Sequence, residues 1–301
     1  MFPRAPFLQT VANPVSPTIE SICQSLSAIA PLKLAEEWDN VGLLLGDRSA
    51  EAHRILTCLT ITPAVVEEAT ELAANLIVAH HPLPFKPMAR ITTDSAASAM
   101  VWNLCRAGIA VYSAHTAYDS ARLGINEQWA NRLDLTSIKP LTPSLDDPTV
   151  GSGRYGELSE PMTAREFLSF AAKSCGSTRP RLVGDFDRSI RRVAIGCGSG
   201  GSFVGAARRK GCDVLLTGEA TLHTCLEAEN TGLTMALVGH HASERFAMET
   251  LAEQLLREIQ PLHETFAGDQ DSSPPDPSGN WVRSSQRERD PIAVDPISLN
   301  P

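Results

Sequence analysis

The chain has 301 residues, 43% of them hydrophobic, and a formal net charge of -9 at pH 7. That is enough apolar content for one large or two small packed domains, while the acidic balance argues against a general affinity for nucleic acid or an anionic membrane, which needs a basic face. No apolar stretch is long enough to span a bilayer, and residues 1–15 lack the apolar core of a secretory signal, so a cytoplasmic location is expected.

In chain order, a loose leader over 1–15 gives way to a helix opened by Ser16-Pro17, with Pro at its first position and Ile19, Ile22, Cys23, Leu26 and Ile29 on one stripe. A polar loop containing Trp38-Asp39-Asn40 leads to a short apolar strand closed by Gly46. From there the pattern alternates: a strand over 55–62, a helix begun by Thr62-Pro63, a strand over 76–79 and a helix over 95–107 closed by Gly108. A strand over 109–114 and a helix over 124–133 complete this half. Residues 141–156, rich in Pro, Gly, Ser and Asp, read as a loop at the midpoint. The second half repeats the alternation, with helices over 163–174, 203–210 and 222–230, strands over 193–197, 214–216 and 235–238, and a long amphipathic helix over 245–259. Beyond Ala267 the composition turns to Asp, Ser, Pro, Gly and Arg, and a disordered tail is expected over 268–301. The expected organisation is an N-terminal α/β lobe over 16–145 and a C-terminal α/β lobe over 146–267. Their shared order suggests a duplicated unit, two similar lobes with central mixed sheets flanked by helices.

The chemistry sits at strand ends. Seven cysteines are scattered and never form a CxxC, so they read as reduced core residues and not as a disulfide frame or zinc site. Of eight histidines, five (His80, His81, His115, His240 and His241) directly follow apolar runs. In sheets with parallel strands, ligands collect outside the carboxyl ends, and His80, His81, His115, Asp119, Glu219, His240 and Glu244 all fall there. Adjacent side chains on an extended backbone point to opposite sides, so His80 and His81 suit two metal ions better than one. His240 and Glu244, an i, i+4 pair on a first helical turn, converge. Imidazoles mixed with carboxylates suit Zn, Fe, Mn, Co or Ni. The set is too large for one tetrahedral zinc and reasonable for two ions ~3.5–4 Å apart sharing a carboxylate. His115 reads as orienting Asp119 or binding substrate, more than as a ligand. His223 and Glu219 read either as acting on a substrate proton or as structural hydrogen-bonding groups. Trp38 and Asp39 read either as pocket wall or as core and turn. Gly198-Ser199-Gly200-Gly201-Ser202 reads as a tight turn before a phosphate cradle, since it lacks a P-loop lysine.

Together the motifs Trp38-Asp39-Asn40-Val41-Gly42-Leu43, His80-His81-Pro82, Ser113-Ala114-His115-Thr116-Ala117-Tyr118-Asp119, Gly151-Ser152-Gly153-Arg154, Thr217-Gly218-Glu219 with His223, and Gly239-His240 through Glu244 resemble the NIF-three-like (DUF34) family, also called GTP cyclohydrolase 1 type 2 homologues. The resemblance spans roughly residues 17–267. It implies two divalent metal ions per chain, His81 and Asp119 holding one, His80 and His240 the other, with Glu244 bridging. It also implies two α/β lobes and a ring-shaped homohexamer. Glu244, His115 and His223 are the candidate catalytic residues. Glu219 stands where many relatives have Asp, and His241 where an aromatic is common. Two functions follow as expectations. One is a metal-dependent hydrolase opening a C–N bond of a cyclic amidine or amide in a purine nucleotide or pterin-type small molecule. The other is a non-enzymatic metal-handling or partner-binding protein.

Overall fold

The computed structural model describes residues 17–266 and 281–292. The leader over 1–15 lies outside the described residues, as do 267–280 and 293–301. The chain runs α1 (Ile19–Ile29), β1 (Gly42–Leu45), β2 (Ile55–Cys58), α2 (Pro63–Glu71), β3 (Leu76–Ala79), α3 (Ala96–Ala107), β4 (Ala110–Ser113), α4 (His115–Ser120) and α5 (Ile125–Arg132). It continues through β5 (Thr136–Pro143), β6 (Gly151–Thr163), α6 (Ala164–Cys175), β7 (Arg181–Val183), β8 (Ser189–Gly196), α7 (Val204–Arg209), β9 (Val214–Thr217) and α8 (Leu222–Asn230). Last come β10 (Thr234–Leu237), α9 (His240–Glu244), α10 (Ala247–Phe266) and β11 (Val282–Ser284).

Two mixed sheets result. The first has order β1-β4-β3-β2-β11 and the second β5-β6-β8-β9-β10-β7. In the first, β11, β2, β3 and β4 are all parallel and β1 closes the edge antiparallel. In the second, β8, β9 and β10 are parallel, with antiparallel partners on both sides. The central strands β2, β3, β4, β9 and β10 are buried at every position. This is why they read in sequence as unbroken apolar runs without alternation, as parallel strands covered on both faces do.

Capping decides the helix starts. Thr18, not Ser16, caps the first helix by accepting from the Ser21 amide, so Pro17 stays outside it. Thr62 and Ser95 cap α2 and α3 in the same way, and Thr163 with Glu166 forms a reciprocal capping box on α6.

The midpoint loop is shorter than its composition suggests, with 144–150 irregular and strand on either side. Residues 136–163 form the long hairpin β5–β6, which belongs to the second sheet, so that sheet begins near 136 and not at 146. Its polar, Gly-rich sequence is held by Arg154, whose side chain is 1% exposed. The guanidinium donates to Glu127 Oε2 at 2.6 Å and to the carbonyls of Gly151, Gly153 and Ala121 at 2.7, 2.8 and 2.9 Å. Hydrogen bonding, not apolar periodicity, therefore fixes this hairpin against the α4–α5 turn of the first half.

The two sheets share one apolar core, which draws on Ile22, Val78 and Trp129 as well as Phe167, Val214 and Leu251. The Trp129 indole donates to the Ser243 carbonyl at 2.7 Å, and Thr57 Oγ1 to the Met248 carbonyl at 2.9 Å. Helix α10, which follows the second sheet, packs back on α1, β2 and β11.

The tail expectation fails over 281–292. Val282, Arg283 and Ser284 pair in parallel with Ile55, Leu56 and Thr57, and Trp281 is 5% exposed in the core. A short segment whose buried apolar residues are Trp281 and Val282 is too small to show periodicity, yet the unpaired edge of β2 and the Glu68 carboxylate offer its backbone hydrogen-bond partners. Among the described residues, no helix is long and apolar enough to cross a membrane.

Candidate metal centre

Strand β3 ends at Ala79, and the next two amides continue the ladder, His80 N to the Cys58 carbonyl and His81 N to that of Leu59. Ser113 Oγ donates to the His80 carbonyl at 2.7 Å. The backbone under both histidines is thus fixed by the sheet. Strand β4 delivers His115 and Asp119 on α4, with His115 at φ +25°, a conformation that L side chains rarely adopt. Strand β10 delivers His240 and Glu244 on α9 through Gly239, at φ +94°. All three strand ends meet at one cavity of about 680 Å³, walled by Trp38, Phe85 and Phe203 and floored by Asp119, His240 and Glu244.

Glu244 lies at the centre. Its Oε2 is 3.1 Å from both His81 Nε2 and His240 Nε2, and its Oε1 is 3.8 Å from His80 Nε2. His80 Nε2 is also 3.5 Å from Asp119 Oδ1. The donor atoms of His80, His81 and His115 all lie within 4.8 Å of one another, as do those of His81, His240 and Glu244.

Three of the imidazoles are held from behind by Nδ1. His81 Nδ1 meets Thr60 Oγ1 at 2.7 Å, His115 Nδ1 meets Asp39 Oδ1 at 2.7 Å, and His240 Nδ1 meets Glu219 Oε1 at 3.0 Å. Such outer partners fix the tautomer that leaves Nε2 free to ligate. Asp39 is itself held by the Thr116 amide at 3.1 Å and the Thr116 hydroxyl, and Glu219 by Ser199 Oγ at 2.8 Å.

His80 is different. It is fully buried, and neither ring nitrogen has a hydrogen-bond partner. A buried polar group left unmet costs on the order of 1–3 kcal/mol, so a ring with both nitrogens unmet and its Nε2 turned toward two carboxylates is a poor arrangement for the protein alone. It is a good one for a cation placed among them. The donor set fits divalent transition metals: neutral imidazole nitrogens with carboxylate oxygens.

The electrostatics agree. Burial pushes His80 well below the ordinary histidine range, so it stays neutral as a ligand must. Burial, with the neighbouring Glu244 charge, pushes Asp119 up to about 7. Burial works against the Glu244 carboxylate too, but hydrogen bonds with His240 and His81 hold it well below the usual range. The hydrogen bond with Glu244, outweighing burial, raises His240 to about 9. Burial opposes the charged form of Asp39, yet its bonds from His115 and Thr116 bring it down to about 2.

Several expectations are met and others corrected. His81, Asp119, His240 and Glu244 line one cavity, and His80 lies buried behind it against Asp119 and Glu244. The nearest contacts, however, put Asp119 with His80, and His240 with His81 across one Glu244 oxygen, a different pairing from the one the resemblance implies. His115 stands among the donors, with Asp39 behind it, and lines the same cavity as Asp119. Trp38 is a wall residue, 63% exposed, edge-on to Phe85 and His115. His223 is not brought to the site; helix α8 begins only at Leu222, so no helical turn carries His223 back over Glu219, and it lies exposed. His241 faces a separate cavity with Arg245 and Asp290.

The Gly198–Ser202 turn is no phosphate cradle, because the Gly198 and Gly200 amides already donate to Ser243 Oγ and Thr217 Oγ1 at 2.9 Å. Gly198, at φ +58°, is required: a Cβ there would meet Glu244 Oε1 at 2.2 Å. Two residues of the site escaped the sequence reading. Cys197, taken there as plain core, lies with Sγ 3.1 Å from Asp119 Oδ1, and Thr60 had no signal beyond its place after β2.

A family model described as Duf34/NIF3 (NGG1p interacting factor 3) matches residues 17–271, and the chain belongs to that family. A Clostridium perfringens relative named GTP cyclohydrolase 1 type 2 homolog is 36% identical over 226 residues, 75% of this chain and 86% of that protein. A Drosophila melanogaster relative, NIF3-like protein 1, is 33% identical over 260 residues, 85% of this chain and 88% of that protein. The solved structure of a Bacillus cereus protein related to NIF3 superposes with a TM-score of 0.82 over 93% of this chain and 99% of that one; at 24% identity it shows the common fold. Reduced HcgD from Methanocaldococcus jannaschii, 28% identical, gives 0.68 over 79% and 93%.

Proposed function

We propose that this chain is a metal-dependent hydrolase of the GTP cyclohydrolase 1 type 2-like kind, binding two divalent ions between its sheets and acting on a C–N bond of a purine nucleotide or pterin-type ring. The observation that carries the reading is His80, fully buried with both nitrogens unmet, beside Asp119 and Glu244 at the floor of an open cavity. His80, His81, Asp119, His240 and Glu244 would hold the ions, with the Glu244 carboxylate between the imidazoles of His80, His81 and His240. Divalent ions bound there supply Lewis acidity and bring the pKa of water toward neutrality. The protein's part is positional. Thr60, Asp39 and Glu219 hold three imidazoles in their ligating tautomer. Trp38 and Phe85 offer aromatic surface to a planar ring at the cavity mouth, and Ser152 and Ser202 line the same space with hydroxyls. The names of the curated relatives supply the substrate class.

A non-enzymatic, metal-handling or partner-binding role is the second reading; its support is the family description, which names an interacting protein and no reaction. The purified protein loaded in turn with Zn, Mn, Fe or Co and offered GTP, cyclic nucleobases and pterins decides between them. Turnover lost in Glu244→Ala supports the hydrolase. Bound metal with no turnover of any substrate removes it in favour of the second reading. A homohexamer belongs to the same proposal, and light scattering that gives a monomer's mass removes it.

A further inference from the structure

The segment 281–292 lies beyond the residues matched by the family model, 17–271, yet it reaches the metal centre. It joins the edge of β2 as β11, and the Ser285 amide extends the pairing to the Thr57 carbonyl at 2.8 Å. Three residues later Glu288 turns in, its side chain 3% exposed. Its carboxylate straddles two consecutive backbone amides at the end of β2, accepting from Leu59 N at 2.9 Å and Thr60 N at 2.6 Å. Arg245 Nε, on the residue after Glu244, closes the charge at 2.9 Å. Thr60 is the residue whose hydroxyl stands 2.7 Å behind His81 Nδ1.

We infer that this C-terminal segment is a clamp on the metal centre and that Glu288 is a positioning residue for it. Glu288 fixes the Thr60 backbone, the Thr60 hydroxyl then accepts a hydrogen bond from the His81 Nδ1–H, and His81 Nε2 is presented as a bare lone pair toward Glu244. A buried carboxylate binding two amides is a strong charge-assisted contact, and without it both amides at this strand end would lie in the core unmet. The inference rests on His81 being a ligand, as proposed above.

The test is titration of the metal-free, full-length protein with cobalt(II), read by its visible absorption, which reports ligand geometry independently of any reaction. Thr60→Val is expected to weaken one cobalt site by about 10-fold or more, the usual effect of losing an outer partner of a ligand, and to change its spectrum. Glu288→Gln should reproduce the same change at the same site. The double variant should be no weaker than the weaker single variant, because both act through one route, and Thr60→Ser should restore parental binding. Should Glu288→Gln fail to fold, Glu288→Asp, which keeps the charge but shortens the reach, serves in its place. Parental affinity and spectrum in the Glu288 variant overturn the clamp, as does full additivity of the two changes. A parent protein that binds no cobalt overturns the metal centre itself, a distinct result.

Discussion

Two strands in this protein end in a pair of histidines, and the two pairs are used differently. After β3 the chain continues extended through His80 and His81, and both rings enter the site, one buried with Asp119 and one shared with Glu244. After β10, Gly239 turns the chain directly into α9, so His240 and His241 are helical neighbours and diverge. His240 meets Glu244 one turn on, while His241 joins Arg245 and Asp290 in another cavity, where its Nε2 is buried without a partner. The same dipeptide gives two donors on an extended backbone and one donor on a helix. The helix compensates by supplying Glu244 at i+4, a geometry no extended segment provides.

That contrast can be broken at its shared centre first. Glu244→Ala should abolish binding of both ions, since each group of donors loses its only common carboxylate, and elemental analysis of the purified variant reads this directly. Next, His80→Ala and His240→Ala should each lose the ion they face and keep the other, halving the metal content; a His80→Ala protein with parental metal would remove the ligand assignment. Arg154→Met tests the support beneath Asp119. It strips a buried guanidinium from Glu127 and from the carbonyls of Gly151, Gly153 and Ala121, and a loss of about 3–5 kcal/mol in denaturant unfolding is expected from leaving a buried ion pair broken.

The pH response is gentler and has a defined sign. His240 rises from 6.5 to about 9 in the metal-free fold, so its contribution to stability is complete below pH 6.5 and is lost as the pH climbs through about 9. Thermal stability of the metal-free protein should fall over that span. Metal affinity should rise over the same span, because an ion at His240 displaces its proton. Proton release on cobalt addition at pH 7, in weak buffer, measures it. Smallest of all, His241→Ala should leave metal content at the parental level, and a loss there would erase the distinction between the two pairs.

Much of this was legible in the chain itself. Short apolar runs ending in His-His, in His115 and in Gly239-His240 announced strand tips with ligands, because a strand buried on both faces needs no alternation and a polar residue marks its exit. The bounds of α8 followed from helical spacing closed by Gly232, and the structure adds the Thr221 cap. The β5–β6 hairpin was hidden because it is held by Arg154, whose partners Glu127, Ser120 and Ala121 lie 27, 34 and 33 residues away and leave no local pattern. Segment 281–292 was hidden for a related reason: its hydrogen bonds go to β2 and Glu68, more than 200 positions earlier.

By itself, then, the sequence determined which residues are candidate metal ligands and that each stands at the end of a buried strand, since residue type and local periodicity are properties of a short window. Only the tertiary structure decided how they are arranged. That His80 lies nearest Asp119, and that Thr60, Asp39 and Glu219 stand behind the rings of His81, His115 and His240, depends on the register of two sheets and the angle between them. Those are set by long-range pairing and by packing of one common core, which no window of the chain contains.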